Sequence, residues 1–202
     1  MPQISLYQQE VLERGCPGAT VIPILLSTDK TQLMLFWNKN AYPLYLTIGN
    51  IPKEICRKPS LCSYVLLTYL PTSQLENVTN KAQCRRMINN LYYSCMHKNL
   101  EPLEVAGISG VNMSTGNGNV HQTHPIFTGF IGNYPEQILS SGSITGECPS
   151  CEAPRDKLGE NDIYANRDLE AVLKILDSFE VDPTGFLQAC LEAGIKPLIN
   201  PF

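Results

Sequence analysis

The chain has 202 residues, 43% hydrophobic and 17% charged, a balance that excludes a disordered polymer and suits one domain, or one and part of another, burying roughly 70% of its unfolded surface. No apolar run reaches the ~18–20 residues of a membrane span, and the first twenty residues carry Glu10, Glu13 and Arg14 with no apolar leader core, which argues against secretion. The net charge of −4 is uneven: residues 51–100 hold seven basic and two acidic side chains, residues 101–202 five basic and fourteen acidic, so the middle suits a polyanion and the whole chain is no strongly basic nucleic-acid binder.

Residues 1–19 are a polar, turn-rich lead-in ending in Cys16-Pro-Gly-Ala19. Val21-Ile-Pro-Ile-Leu-Leu-Ser-Thr-Asp29 follows, an unbroken apolar run that reads as a buried central strand over 20–28. Its terminal carboxylate falls at the rim of a sheet, where Asp29 meets solvent or a ligand from a rigid backbone; the plain alternative is a turn residue. A second apolar run, 32–37, is closed by Asn38-Lys-Asn40, and Tyr42–Ile48 and Ser63–Leu70 are further strands flanking a basic connector, 51–59. Short connections make 20–28, 42–48 and 63–70 members of one sheet.

From Asn80 the period becomes helical. Cys84, Ile88, Leu91, Tyr92 and Cys95 form one apolar stripe, and Asn80 with Gln83 makes a capping pair. The stripe 110–124, with Thr115-Gly-Asn-Gly118 at its centre, reads as a β-hairpin, not a phosphate loop, because no Lys-Ser/Thr or helix follows the glycines. Pro125–Ile131 is a further strand ending at Gly132-Asn133-Tyr-Pro-Glu-Gln137. Then come a knuckle, Gly146-Glu-Cys-Pro-Ser-Cys151, a polar stretch over 152–166, and two helices marked by Leu169, Val172, Leu173, Leu176 and Phe179 and by Asp182-Pro183. The apolar tail to Phe202 predicts a chain cut inside a domain, with Leu198, Ile199 and Phe202 left exposed.

Eight cysteines and the sequons Asn77-Val-Thr79 and Asn112-Met-Ser114 invite an extracellular reading. Without a leader we read the sequons as coincidental and the thiols as reduced, in nucleus or cytoplasm. Cys148-x-x-Cys151 is half a zinc site by spacing. His121 and His124 are the candidate partners, although on a strand i and i+3 face opposite ways.

Three strands, a helix, a hairpin and a strand, with polar residues at the ends of the first and fourth main strands, is the layout of an RNase H-like mixed α/β core. In that fold adjacent strand-end carboxylates hold two Mg²⁺ for in-line phosphoryl transfer. Gly18–Leu33, Ala41–Ser60, Tyr134–Gln137, Gly146–Cys151 and Ala193–Pro197 resemble the Plavaka transposases of fungal genomes, relatives of the Kyakuja-Dileera-Zisupton and CACTA elements. The resemblance implies a DDE-type transposase catalytic region acting on DNA with Mg²⁺. Asp29 matches the first acid, Asn133 stands where the second is expected, and the third falls beyond residue 202. It divides the chain into a lead-in (1–19), a partial RNase H-like core (20–145) and, from 146, the knuckle and the start of a helical insertion. The expected outcome is a truncated pseudoenzyme without cleavage activity, of unassigned oligomeric state. The competing readings are a small zinc-stabilised binding module built on Cys148, Cys151 and the histidines, and an active nuclease in which Glu136 replaces the lost acid.

Overall fold

The computed structural model describes residues 19–34, 39–73 and 75–198. The fold is mixed α/β and divides into two compact units. One holds the chain up to Thr72 together with Cys95–Ile131, the other Ser73–Ser94 together with Gly132 onward.

The first unit is built on a five-stranded mixed sheet. Its strands are β1 (Thr20–Thr28), β4 (Pro43–Ile48), β5 (Tyr64–Tyr69), β6 (Val111–Ser114) and β7 (Val120–Ile131), in the order β5-β4-β1-β7-β6. β1 lies in the middle, as its apolar run requires: Val21, Pro23, Ile24, Leu26 and Thr28 are buried and the residues between them half-buried. It pairs antiparallel with β4 and parallel with β7. β4 pairs antiparallel with β5, so 20–28, 42–48 and 63–70 do form one sheet.

The pairing of β1 with β7 slips once. Ile24 faces Phe127 and Leu25 faces Gly129, which leaves Thr128 as the extra residue of a bulge. The Thr128 hydroxyl donates to the Ile24 carbonyl at 3.1 Å, so the bulge leaves that acceptor satisfied. The hairpin over 110–124 is present, β6 against β7, but its second arm does not stop where Pro125–Ile131 begins. The two run together as one twelve-residue strand, because Pro125 can enter the ladder where no donor is demanded of it.

The run at 32–37 does not join this sheet. β2 (Thr31–Met34) pairs with β3 (Lys39–Ala41) in a separate two-stranded ribbon. Leu33 and Met34 are exposed on it, and 35–37 lie outside the described residues. The basic connector is also exposed and includes one helical turn, α1 (Lys53–Cys56).

The predicted helix runs much further than its stripe, as α2 (Lys81–Ser109). The Asn80 side chain accepts from the amides of Ala82 and Gln83 at 3.0 and 3.2 Å, satisfying two of the four orphan donors of the first turn. Its well-buried side chains are Tyr92, Tyr93 and Met96, while Ile88 and Leu91 keep more than a third of their surface exposed. The stripe is therefore rotated toward the two tyrosines, which pack edge to face with centroids 5.3 Å apart. Within the sheet unit, Gly107 lets the helix close on β7: a Cβ there would stand 2.8 Å from the Pro125 carbonyl oxygen.

In the second unit, α3 (Tyr134–Ser140), α4 (Leu169–Asp177) and α5 (Pro183–Glu192) are each opened by an Asn or Asp cap. Phe186, Cys190 and Ile195 form a small core, against which Val172, Ile175, Leu176 and Phe179 pack. Leu198, expected to be exposed, is buried. Gly142 lacks the Cβ that would crowd its methyl at 3.0 Å. Ile199 and Phe202 lie outside the described residues. Among the described residues no helix is long and apolar enough to cross a membrane.

Candidate functional site

β1 and β7 run in the same direction and finish at the same edge of the sheet, with Ser27 opposite Ile131. Asp29 follows β1 two residues past Ser27, and Asn133 follows β7 two residues past Ile131. β1 and β7 thus end side by side within the sheet; Asp29 follows the one in sequence, and Asn133, the second residue of the other unit's segment, follows the other. Asp29 is exposed, and its main-chain oxygen accepts from the Thr31 hydroxyl at 3.4 Å.

Asn133 is the cap of α3. Its amide oxygen accepts from the Glu136 amide at 3.2 Å, and the Gln137 side chain donates to the Gly132 carbonyl at 3.0 Å, tightening the same turn. Glu136 is buried and lies within the field of Tyr92. It is therefore an interior acid of the second unit rather than a solvent-facing substitute for a lost ligand.

These residues do not fit a two-Mg²⁺ site. Such a site needs several charged oxygens, and an asparagine oxygen already used as a helix cap carries no charge. Among the described residues no group of three or more His, Cys, Asp or Glu side chains is placed to hold a metal ion.

The same applies to zinc. His124 is buried in β7 with Nδ1 2.9 Å from the Gly107 carbonyl, while His121 is exposed. The strand thus turns the two imidazoles to opposite sides, as the i, i+3 spacing requires. Cys148 and Cys151 belong to the second unit, with Sγ atoms 3.1 Å apart and the Cys151 thiol donating. Burial pushes the Cys148 thiol up, but hydrogen bonds from the Ser150 amide and from Cys151, with the Arg167 charge, outweigh it and leave the thiol below its ordinary value. Donation to Cys148 is the main reason Cys151 is raised.

Sequence reasoning missed what holds the knuckle. The Tyr134 hydroxyl donates to the Glu147 carbonyl and accepts from the Gly146 amide, both at 3.0 Å. Arg167 donates to the carbonyls of Cys148 and Ala193, each at 2.7 Å, and lies 3.7 Å from the Glu147 carboxylate. Ile144 and Lys196 donate their amides to the carbonyls of Gly194 and Gly142. Tyr134–Gln137, Gly146–Cys151 and Ala193–Pro197, far apart in sequence, thus meet in one polar framework. For Tyr134 and Lys196 the signal was their place in those segments. Arg167, at the end of a polar stretch, had none.

A family model described as Plavaka transposase matches residues 3–202, essentially the whole chain. The chain belongs to the Plavaka transposase family. No curated protein matches it. Membership of a Plavaka transposase family implies interaction with DNA, and it gives the zinc-module reading, which lacks an assembled ligand set among the described residues, no support.

Proposed function

We propose that this Plavaka-family chain carries an RNase H-like, DDE-type catalytic frame and that, with the side chains it holds, it does not cut or join DNA. The observation that carries the reading is the parallel pairing of β1 with β7 up to Ser27 and Ile131, each two residues before Asp29 or Asn133 in sequence. The order β5-β4-β1-β7, with three antiparallel strands followed by a helix and a parallel fourth strand, supports the same frame.

In such a frame Asp29 marks the first metal-binding acid. Asn133 keeps the local geometry of the second, because asparagine caps a helix as well as aspartate does, yet it lacks the charge that would offset a divalent ion. A nicking assay on supercoiled DNA with Mg²⁺ or Mn²⁺ tests the reading. The expected result is no metal-dependent product from the wild-type chain and tighter Mn²⁺ binding by Asn133→Asp. Clear nicking by the wild type that disappears in Asp29→Ala overturns it.

A further inference from the structure

The second unit is acidic. Ser73–Ser94 and the residues from Gly132 onward carry thirteen carboxylates and eight cations. Yet one of its cavities, of about 360 Å³, is lined by three of those cations, Arg85, Arg86 and Lys196, and by no carboxylate. Arg85 and Asn89 stand one helical turn apart on α2, so they share a face. The same cavity is lined by Ile144, Pro197 and Leu198, its apolar floor, and the bridge between Ser143 and Ile195, with the Ile144 and Lys196 amide bonds, ties these two segments together.

Lys196 is half-buried and donates to the Ile138 carbonyl at 3.2 Å. That bond caps the end of α3 and leaves the ammonium two further donors. Among the described residues none of the three cations has a carboxylate within ion-pair distance. Burial lowers the Lys196 ammonium from its ordinary value, the direction in which an anionic partner would be welcome.

A cationic rim asks for an anion, and guanidinium groups suit phosphate. The volume falls in the range of small-molecule pockets, about 300–1,000 Å³, and exceeds what a phosphate alone would fill. The apolar floor suits the face of a nucleobase, whose stacking on apolar or aromatic surface does not depend on its sequence. We propose that this pocket binds one nucleotide unit, its phosphate on Arg85, Arg86 and Lys196 and its base over Ile144, Pro197 and Leu198. The unit has two possible sources, a free nucleoside monophosphate or an unstacked nucleotide of single-stranded DNA. Neither Asp29 nor Asn133 takes part, so the site stands independently of the catalytic reading above.

The test is calorimetric titration of the full chain with deoxyadenosine monophosphate, deoxyadenosine, and a short single-stranded oligonucleotide. Deoxyadenosine monophosphate or the oligonucleotide binds, and whichever binds identifies the source. Deoxyadenosine, lacking the phosphate, binds about tenfold more weakly or not at all. Arg85→Glu/Arg86→Glu lowers affinity by about tenfold or more, while Arg57→Glu/Lys58→Glu, the same charge change on the exposed connector of the other unit, leaves it unchanged. All four side chains are exposed, and circular dichroism confirms that each variant is folded. The proposal is overturned if neither phosphorylated probe binds, if both double variants weaken binding equally, or if Arg85→Glu/Arg86→Glu has no effect. Asp29→Ala retains full binding, so a surprise in the nicking assay would not bear on this site.

Discussion

The sheet unit and the helical unit are specified in different ways. In the first, burial at the centre follows the sequence pattern: the apolar run of β1 lies in the middle of the sheet with most of its side chains covered, and ladder hydrogen bonds join it to β4 and β7. In the second, the apolar core is small, and side chains reaching distant backbone carbonyls hold the loops: Arg167 to Cys148 and Ala193, Lys196 to Ile138, Tyr134 to Glu147. A pattern of apolar residues can specify a sheet. A loop framework needs particular donors at particular places, because each buried carbonyl left unpaired costs free energy.

That contrast breaks most visibly in the two cores. Phe186→Ala should cost about 3–5 kcal/mol and Leu26→Ala about 2–5 kcal/mol, each leaving a cavity in fully packed surroundings. Hydrogen exchange should show the first loosening α4 and α5 and the second loosening β1, β4 and β7. The reverse pattern would sink the division. Arg167→Ala comes next. It removes two charge-assisted hydrogen bonds worth about 1.5–3 kcal/mol each at most, and amide exchange should rise at residues 146–151 and 193–196 while the sheet stays protected.

Smaller effects sharpen the reading of Asn133. Asn133→Ala should cost about 1 kcal/mol through the lost cap, and Asn133→Asp should be nearly neutral to stability, as thermal melting of the two variants would show. Equal destabilisation by both would mean that the position does more than cap α3. The smallest expected effect is that of a chelator. Two thiols fall short of the four ligands of a structural zinc site, so EDTA should leave the melting temperature unchanged, and a marked drop would reveal ligands beyond the Cys148–Cys151 pair.

Much of the frame was legible in the sequence. The central strand at 20–28, its antiparallel neighbours, the caps at Asn80 and Asp182, and the terminal positions of Asp29 and Asn133 follow from local rules of period, capping and connection length. Local rules could not say that Leu33 and Met34 lie exposed on a separate ribbon, that Leu198 is buried beside Gly142, or that Glu136 points inward. Those outcomes depend on which surfaces remain uncovered once the sheet and helices have packed. Apolar periodicity records that a side chain seeks cover. The identity of the cover, and the carbonyl an arginine or lysine finds after a long excursion of the chain, is settled only when distant segments come together.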